Sequence, residues 1–211
     1  MCVATLVLGG VASAQPPAAS APDRGYVEVV AQSAFGNVTT QAYGGELGFN
    51  LQPGVRLYVE VGQVRNVATD ELTTSAQTIA TFLSQTQGPA SFTARVPATF
   101  GVGGVQYLIA TQSTKVQPYV MAGGGVAQVK KKVAFSVGGN DVTSTIQQFG
   151  VVLGTDLSGS EVKPMFDFGA GVAWSAWQRL VLDLQLRYGR IFAEDGGISV
   201  GRVGIGIGFR F

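Results

Sequence analysis

The sequence predicts an all-β protein, an eight-stranded antiparallel up-and-down transmembrane β-barrel, on three observations. Charged residues are 13% of the 211 residues, about half the soluble average, while 46% are hydrophobic, so much apolar surface is left without a polar cover. No run of about eighteen or more apolar residues follows the first few positions, which leaves no helix able to span a bilayer. Apolar side chains instead recur at every second position. The last nine residues, Val203-Gly204-Ile205-Gly206-Ile207-Gly208-Phe209-Arg210-Phe211, are the clearest case, with one apolar face running to the last residue.

The N-terminus has the pattern of an export signal over residues 1–14. Leu6-Val7-Leu8-Gly9-Gly10-Val11 forms a short apolar core, and Ala12-Ser13-Ala14 supplies a small-x-small cleavage site before Gln15. No Lys or Arg precedes the core, so the start is expected to lie a few codons late, with the basic n-region missing. Cys2, the sole cysteine, would leave with the signal, and the mature chain is expected to hold neither disulfide nor free thiol. Residues 15–24, rich in Pro and Ala, form an expected linker, and residues 25–211 the barrel domain.

Eight strands can be placed after Gly25. Leu180 to Arg190 sets Leu180, Leu182, Leu184, Leu186 and Tyr188 against Asp183, Gln185, Arg187 and Gly189. Met165 to Ser175, Val55 to Val64, Thr40 to Leu51 and Ile198 to Phe211 alternate in the same way, and helical spacing fits none of them. Tyr26 to Phe35 alternates weakly. Ala94 to Ile109 is expected to change parity near Gly103-Gly104, and Val116 to Lys130 carries Gly123-Gly124-Gly125, where bulges or bends are expected. A slip at Gly201-Arg202 would put Ile198 and Val200 out of step with the final run.

The connections alternate in length. Gln52-Pro53-Gly54, Ala110 to Lys115 and Ala176 to Arg179 are tight, whereas Arg65 to Thr93 and Lys131 to Pro164 are long. Short turns at one rim and long loops at the other predict an outer-membrane barrel with turns and both termini in the periplasm. Within the long loops, Leu72, Ile79, Phe82 and Leu83 fall at roughly helical spacing in Asp70 to Gln85, which fits equally a short amphipathic helix over the barrel mouth or against the outer leaflet and a disordered loop. Val133 to Val137 and Ile146 to Leu153 either form an extra hairpin, which would raise the count to ten strands, or extend the wall above the membrane. Tyr26, Tyr43, Phe49, Tyr119, Trp174, Trp177, Tyr188, Phe209 and Phe211 are expected in interfacial girdles.

If the leucine faces meet lipid, the opposite faces bring Glu28, Glu46, Arg56, Glu60, Asp167, Asp183, Arg187, Arg202 and Arg210 into the lumen. An eight-stranded barrel has an interior just wide enough for side chains to fill, so this charge network is expected to plug it. An Arg or Lys on the lipid face would cost roughly 2 to 4 kcal/mol at the bilayer midplane, which explains why the charges sort to one parity. Two other readings stand beside the closed structural or surface-interaction barrel. One is a narrow channel for small or apolar solutes. The other is a soluble lipocalin-like binder with its leucines turned inward around a ligand.

The chain has no histidine, which removes His-based triads and ordinary zinc sites, and no catalytic residue, metal or cofactor is expected. A carboxylate-only hydrolase would draw on loop acids, for instance Asp70 with Glu71 or Asp156 with Glu161, and such pairs are usually just solvated. Gly101-Val102-Gly103-Gly104 lies inside a strand with no helix after it, a context that contradicts nucleotide binding. Net charge +1 gives no field to draw nucleic acid. Lys130-Lys131-Lys132 falls where its strand leaves the membrane, at the height of lipopolysaccharide phosphates. It is either a contact with that lipid or a solvated rim.

The signal pattern, the eight alternating segments, Pro118-Tyr119-Val120 opening a glycine-rich strand, Leu186-Arg187-Tyr188 and the terminal Gly-Phe-Arg-Phe together resemble the outer-membrane protein β-barrel domain family, which is similar to the OmpA transmembrane domain. The resemblance implies a membrane-embedded barrel of the cell envelope, without implying an activity. It also implies that the final strand is read by the barrel-assembly machinery through Gly204, Gly206, Phe209 and Phe211, with Gly204 standing where the family pattern has a polar residue. The expected partners are outer-membrane lipid, lipopolysaccharide and that machinery, and a monomer is expected.

Overall fold

The computed structural model describes residues 24–154, 157–192 and 197–211. The expected export signal with Cys2, the linker up to Asp23, and Asp156 lie outside the described residues. The elements in chain order are β1 (Gly25–Phe35), β2 (Thr40–Gln52), β3 (Val55–Val64), α1 (Asp70–Gln87), β4 (Ala90–Arg95), β5 (Ala98–Leu108), β6 (Val116–Val137) and β7 (Asn140–Asp141). A 3-10 helix (Thr143–Phe149), β8 (Ser158–Ser175), β9 (Leu180–Ile191) and β10 (Ile198–Arg210) complete the chain.

Eight strands close a ring in the order β1-β2-β3-β5-β6-β8-β9-β10, every neighbour antiparallel, and β10 returns to β1 from Tyr26↔Arg210 to Phe35↔Gly201. Closure is what the bilayer demands. No water is present there to satisfy backbone N–H and C=O groups, so an open edge would leave a row of them unpaired. The short β2–β3 turn is made at Gly54, whose φ of 83° suits a residue without a β-carbon.

Even-numbered residues of β1, β2, β3, β5 and β10, and odd-numbered residues of β6, β8 and β9, turn inward, except at Gln52, where the β2–β3 register shifts after Asn50. The parity change expected at Gly103-Gly104 does not occur, because the pairing of β5 with β3 and β6 runs without a shift. What inverts there is the chemistry: Phe100 and Val102 are apolar residues buried inside, and glycines take the outward positions. Gly201-Arg202 likewise shows no slip, and Ile198 and Val200 lie on the inner face. The glycine triplet of β6 makes no bulge either. Inward glycines make room for large inward side chains. A β-carbon at Gly123 would lie 2.5 Å from the Tyr58 hydroxyl, one at Gly171 2.3 Å from the Tyr119 hydroxyl, and one at Gly48 2.0 Å from the Tyr26 ring.

Three expected elements change at the long-loop end. The expected strand Ala94 to Ile109 splits at Val96-Pro97 into β4 and β5. Pro97 has no N–H for a ladder, and its carbonyl accepts from the Lys130 amide at 3.0 Å. Val133 to Val137 lengthens β6 rather than opening a membrane hairpin, while Ile146 falls in the 3-10 helix, so the wall keeps eight strands. β4 and β7 stand outside the ring, both paired to β6. Paired residues of β6 and β8 run from Val116↔Trp174 to Lys132↔Ser158, longer than a membrane crossing requires.

Helix α1 starts at Thr69, whose hydroxyl accepts from the Leu72 amide at 3.3 Å, with Asp70 and Glu71 in the first turn beside the positive end of the helix dipole. It packs on β4 and β6, not on the outer wall. Leu72, Ala76, Ala80 and Leu83 form its buried stripe, whereas Phe82, expected on the apolar face, is 46% exposed. The stripe joins Phe135, Ile146 and Leu157 above the ring, and Ala34, Ala42, Val64, Phe100, Ile191 and Val200 inside it, in one apolar cluster.

Replacing Gly171 by Leu is expected to force the Tyr119 ring out of place and destabilise the barrel by about 1–3 kcal/mol, the usual range for overpacking. Urea unfolding in lipid vesicles, followed by the mobility shift between boiled and unboiled samples, measures the loss.

Candidate functional site

Alternation along the strands places eight of the nine expected interior charges, Glu28, Glu46, Arg56, Glu60, Asp167, Asp183, Arg187 and Arg202, among the buried residues. Arg210 is half-buried at the short-turn end and donates to Ser175 Oγ at 3.0 Å. The opposite faces are open: Leu184 and Leu186 are each 60% exposed and Ile205 61%. Leucines outside and carboxylates inside contradict the lipocalin-like reading, which needs the reverse.

Two arginines on adjacent strands, Arg187 of β9 and Arg202 of β10, reach across the interior. Arg187 donates to Glu46 of β2 at 2.5 Å and Glu60 of β3 at 2.9 Å, and lies 3.8 Å from Asp167 of β8. Arg202 donates to Glu60 and Asp167, each at 2.9 Å, and its guanidinium stacks 4.5 Å from the Phe100 ring centroid. Three carboxylates from three strands are thereby held by two arginines. Ions removed from water cost several kcal/mol each, and only close, hydrogen-bonded pairing offsets that cost.

Nearer the short-turn end the carboxylates rely on neutral donors. Gln185 donates to Glu28 at 2.5 Å and Asp183 at 2.7 Å, and the Tyr119 hydroxyl donates to Asp183 at 2.5 Å. The Tyr26 hydroxyl donates to Glu46, and Gln106 donates to both at 2.7 Å. Arg56 donates to Asn50 at 2.8 Å and lies 4.6 Å from the Tyr26 ring centroid. A cavity of about 10 Å³ remains at this end, lined by Tyr26, Glu28, Arg56, Gln106, Tyr119 and Asp183, among others.

Tyr26 and Tyr119 are therefore not the girdle residues that their places near strand ends suggest. Their hydroxyls face carboxylates, and inward glycines make room for their rings. Gln32 and Gln106 are the other participants that sequence reasoning passed over, while Gln185 was placed on the inward face of its strand but not counted in the network. For Gln32 and Gln185 the signal was parity, since each shares a face with a charged residue of its own strand; β5 carries no charged residue, and Gln106 had no such signal. Trp174, Trp177, Phe49, Phe209 and Phe211 do stay exposed outside, and Phe166, Phe168, Tyr188 and Phe192 form an outward ring cluster at the long-loop end, with centroids 5.1–6.3 Å apart.

Of the terminal-strand residues, Gly206 faces Glu28 so closely that a β-carbon would sit 1.8 Å from its carboxylate, and Gly204 faces Gln32. Phe209 points outward, and the Phe211 carbonyl accepts from the Arg24 amide at 2.7 Å. The three lysines do not act as one cluster. Lys130 and Lys132 point outward, while Lys131 turns to the inner face, 3.6 Å from Glu161, which also pairs with Lys163 at 3.1 Å. Asp70 and Glu71 stay in the first turn of α1. Among the described residues no cluster of three metal-ligating side chains occurs.

The chain matches the family model described as the outer membrane protein beta-barrel domain over residues 4–211. It belongs to that family. Outer-membrane barrel proteins of this type have an all-β ring, as here, and membership assigns the chain to the bacterial outer membrane. No curated protein sequence matches it. Among solved structures it is similar to Neisserial surface protein A, with 14% identity, TM-score 0.53, and 89% of this chain and 96% of that chain covered. It is also similar to a major outer membrane protein from Thermus thermophilus, with 12% identity, TM-score 0.56, and 89% and 99% covered. At these identities the likeness is one of fold.

Arg187→Met leaves the buried Glu46 and Glu60 with fewer donors. It is expected to cost about 3–5 kcal/mol, as for breaking a buried ion pair from one side, measured by urea unfolding in vesicles. Outside the membrane-spanning part, the hydrogen bond from Lys163 and the charge of Lys131 hold the Glu161 carboxyl below the usual carboxylate range. A lowered acid contributes stability above its unfolded pKa and loses it as pH falls through its folded pKa. Carbon-13 NMR of the Glu161 carboxyl should therefore show a midpoint below that of a free Glu, moving upward in Lys163→Gln.

Proposed function

We propose that this is an integral outer-membrane barrel with a closed polar interior, serving a structural or surface-interaction role and not an enzymatic one. The observation that carries the reading is the interdigitation of Arg187 and Arg202 with Glu46, Glu60 and Asp167 across the bore, beside a cavity of about 10 Å³. An apolar layer under α1 at the long-loop end adds a second barrier to ions. The role needs no cofactor and no nucleic acid, and one chain closes the ring, in keeping with a monomer.

The short turns and both described chain ends, Arg24 and Phe211, belong in the periplasm, and α1 belongs on the cell exterior. Lopsided connections support this orientation, since the long ones all leave one rim. Gly204, Gly206, Phe209 and Phe211 would serve as the strand read by the barrel-assembly machinery, and outer-membrane lipid with lipopolysaccharide would surround the wall.

In planar bilayers the purified protein is expected to give no steady conductance. Steady openings that vanish in Glu60→Gln or Arg187→Gln would establish the narrow-channel reading instead. For orientation, Thr78→Cys on α1 is expected to react with an impermeant maleimide in intact cells, and Ser113→Cys in a short turn to react only after lysis. The reverse pattern would invert the topology.

A further inference from the structure

The pairing of β4 with β6 sets Arg95 directly opposite Lys132, and both side chains point outward. Lys130 lies two residues along on the same face and is also exposed. Like charges directly opposed on a sheet face repel. None of the three forms an ion pair with a carboxylate among the described residues. The nearby acid, Glu161, is turned to the inner face and engaged by Lys131 and Lys163, and Asp141 accepts from the Thr143 amide at 2.8 Å. Gln128 and Ser160, bonded to each other at 3.2 Å, are polar but uncharged.

The wall beneath this patch is also unusual. Level by level, Gly101 pairs with Val126, Gly103 with Gly124, and Val105 with Ala122, so three neighbouring outward positions, Gly101, Gly103 and Gly124, carry no side chain between the exposed Val126 and Val105. A β-carbon at Gly101 would meet nothing within 4 Å. Val59, level with Gly103, stands at one side of this strip, and Phe166, level with Gly124, at the other. The outward apolar residues of β6 run from Val116 to Val126, about 23 Å at roughly 3.3 Å per residue and 45° tilt, close to the roughly 25 Å apolar band of such barrels. Lys130 lies about 9 Å beyond it by the same geometry, in the headgroup layer.

We propose that Arg95, Lys130 and Lys132 bind the phosphate monoesters of one lipopolysaccharide molecule, with an acyl chain lying in the glycine-floored trough of β5 and β6. Guanidinium offers a paired set of donors to a phosphate, and the two ammonium groups add charge. The trough points to a lipid rather than to free phosphate. This inference rests on the orientation proposed above, which puts the long-loop end in the outer leaflet.

The test uses the full folded protein in detergent micelles and native mass spectrometry, with lipid A, dephosphorylated lipid A and inorganic phosphate as separate probes. Lipid A is expected to bind the wild-type protein at one per barrel, and dephosphorylated lipid A and inorganic phosphate to bind at least about tenfold more weakly. The double variant Arg95→Gln/Lys132→Gln should weaken lipid A binding about tenfold, and Gly124→Leu, which fills the trough, should weaken it too. Lys131→Gln, on the inner face, should not. Boiled and unboiled mobility confirms that each variant is folded. Equal binding of the dephosphorylated lipid, equal binding of inorganic phosphate, or full affinity in the double variant would overturn the site. Because micelles have no sidedness, a site that binds here while maleimide labelling finds α1 in the periplasm would mean that the orientation, and not the contact, had failed.

Discussion

The absence of hydrogen-bonding solvent in the bilayer governs the rest of the molecule. Backbone groups must pair along every strand edge, which leaves a closed ring as the only arrangement for these sequences. Closure then creates a small interior, and a period of two sends half of each strand into it. Charges that would be costly against acyl chains are tolerated inside because they can meet one another there. Glu46, Glu60 and Asp167 come from β2, β3 and β8, and Arg187 and Arg202 from the adjacent β9 and β10. Their pairing ties the walls of the cylinder across its bore.

The interior is layered along its axis. Neutral donors, Gln185, Gln106, Tyr26 and Tyr119, satisfy the carboxylates near the short-turn end. Arginines do so in the middle, and beyond Arg202 the inward residues become apolar, from Phe100 and Val200 to Ala34 and Ala42. That last change explains the weak alternation of β1 and β5. Where the inside is as apolar as the outside, hydrophobicity no longer distinguishes the faces. The same layer accepts the buried stripe of α1, so the helix caps an apolar mouth by the ordinary hydrophobic effect.

Much of the wall was legible from alternation alone. In β9, Leu182, Leu184 and Leu186 against Asp183, Gln185 and Arg187 settle both strand and facing, and all six behave as that pattern implies. The glycines were harder to interpret. A glycine in a strand can mark a bend or make room for a neighbour, and the neighbour is on another strand: Gly171 beside Tyr119, Gly123 beside Tyr58, Gly206 beside Glu28. Tyrosines near strand ends posed the same difficulty, since interfacial and interior positions both suit a ring with one polar tip.

Local periodicity, charge content and the rhythm of short and long connections sufficed to predict a membrane barrel and, in the strands that alternate clearly, the residues with interior parity, because a strand's facing depends only on its own residues and the bilayer; the count of eight rather than ten needed the structure. Which carboxylate meets which arginine depends on register between strands distant in sequence. Ring closure sets that register, and no single segment contains it.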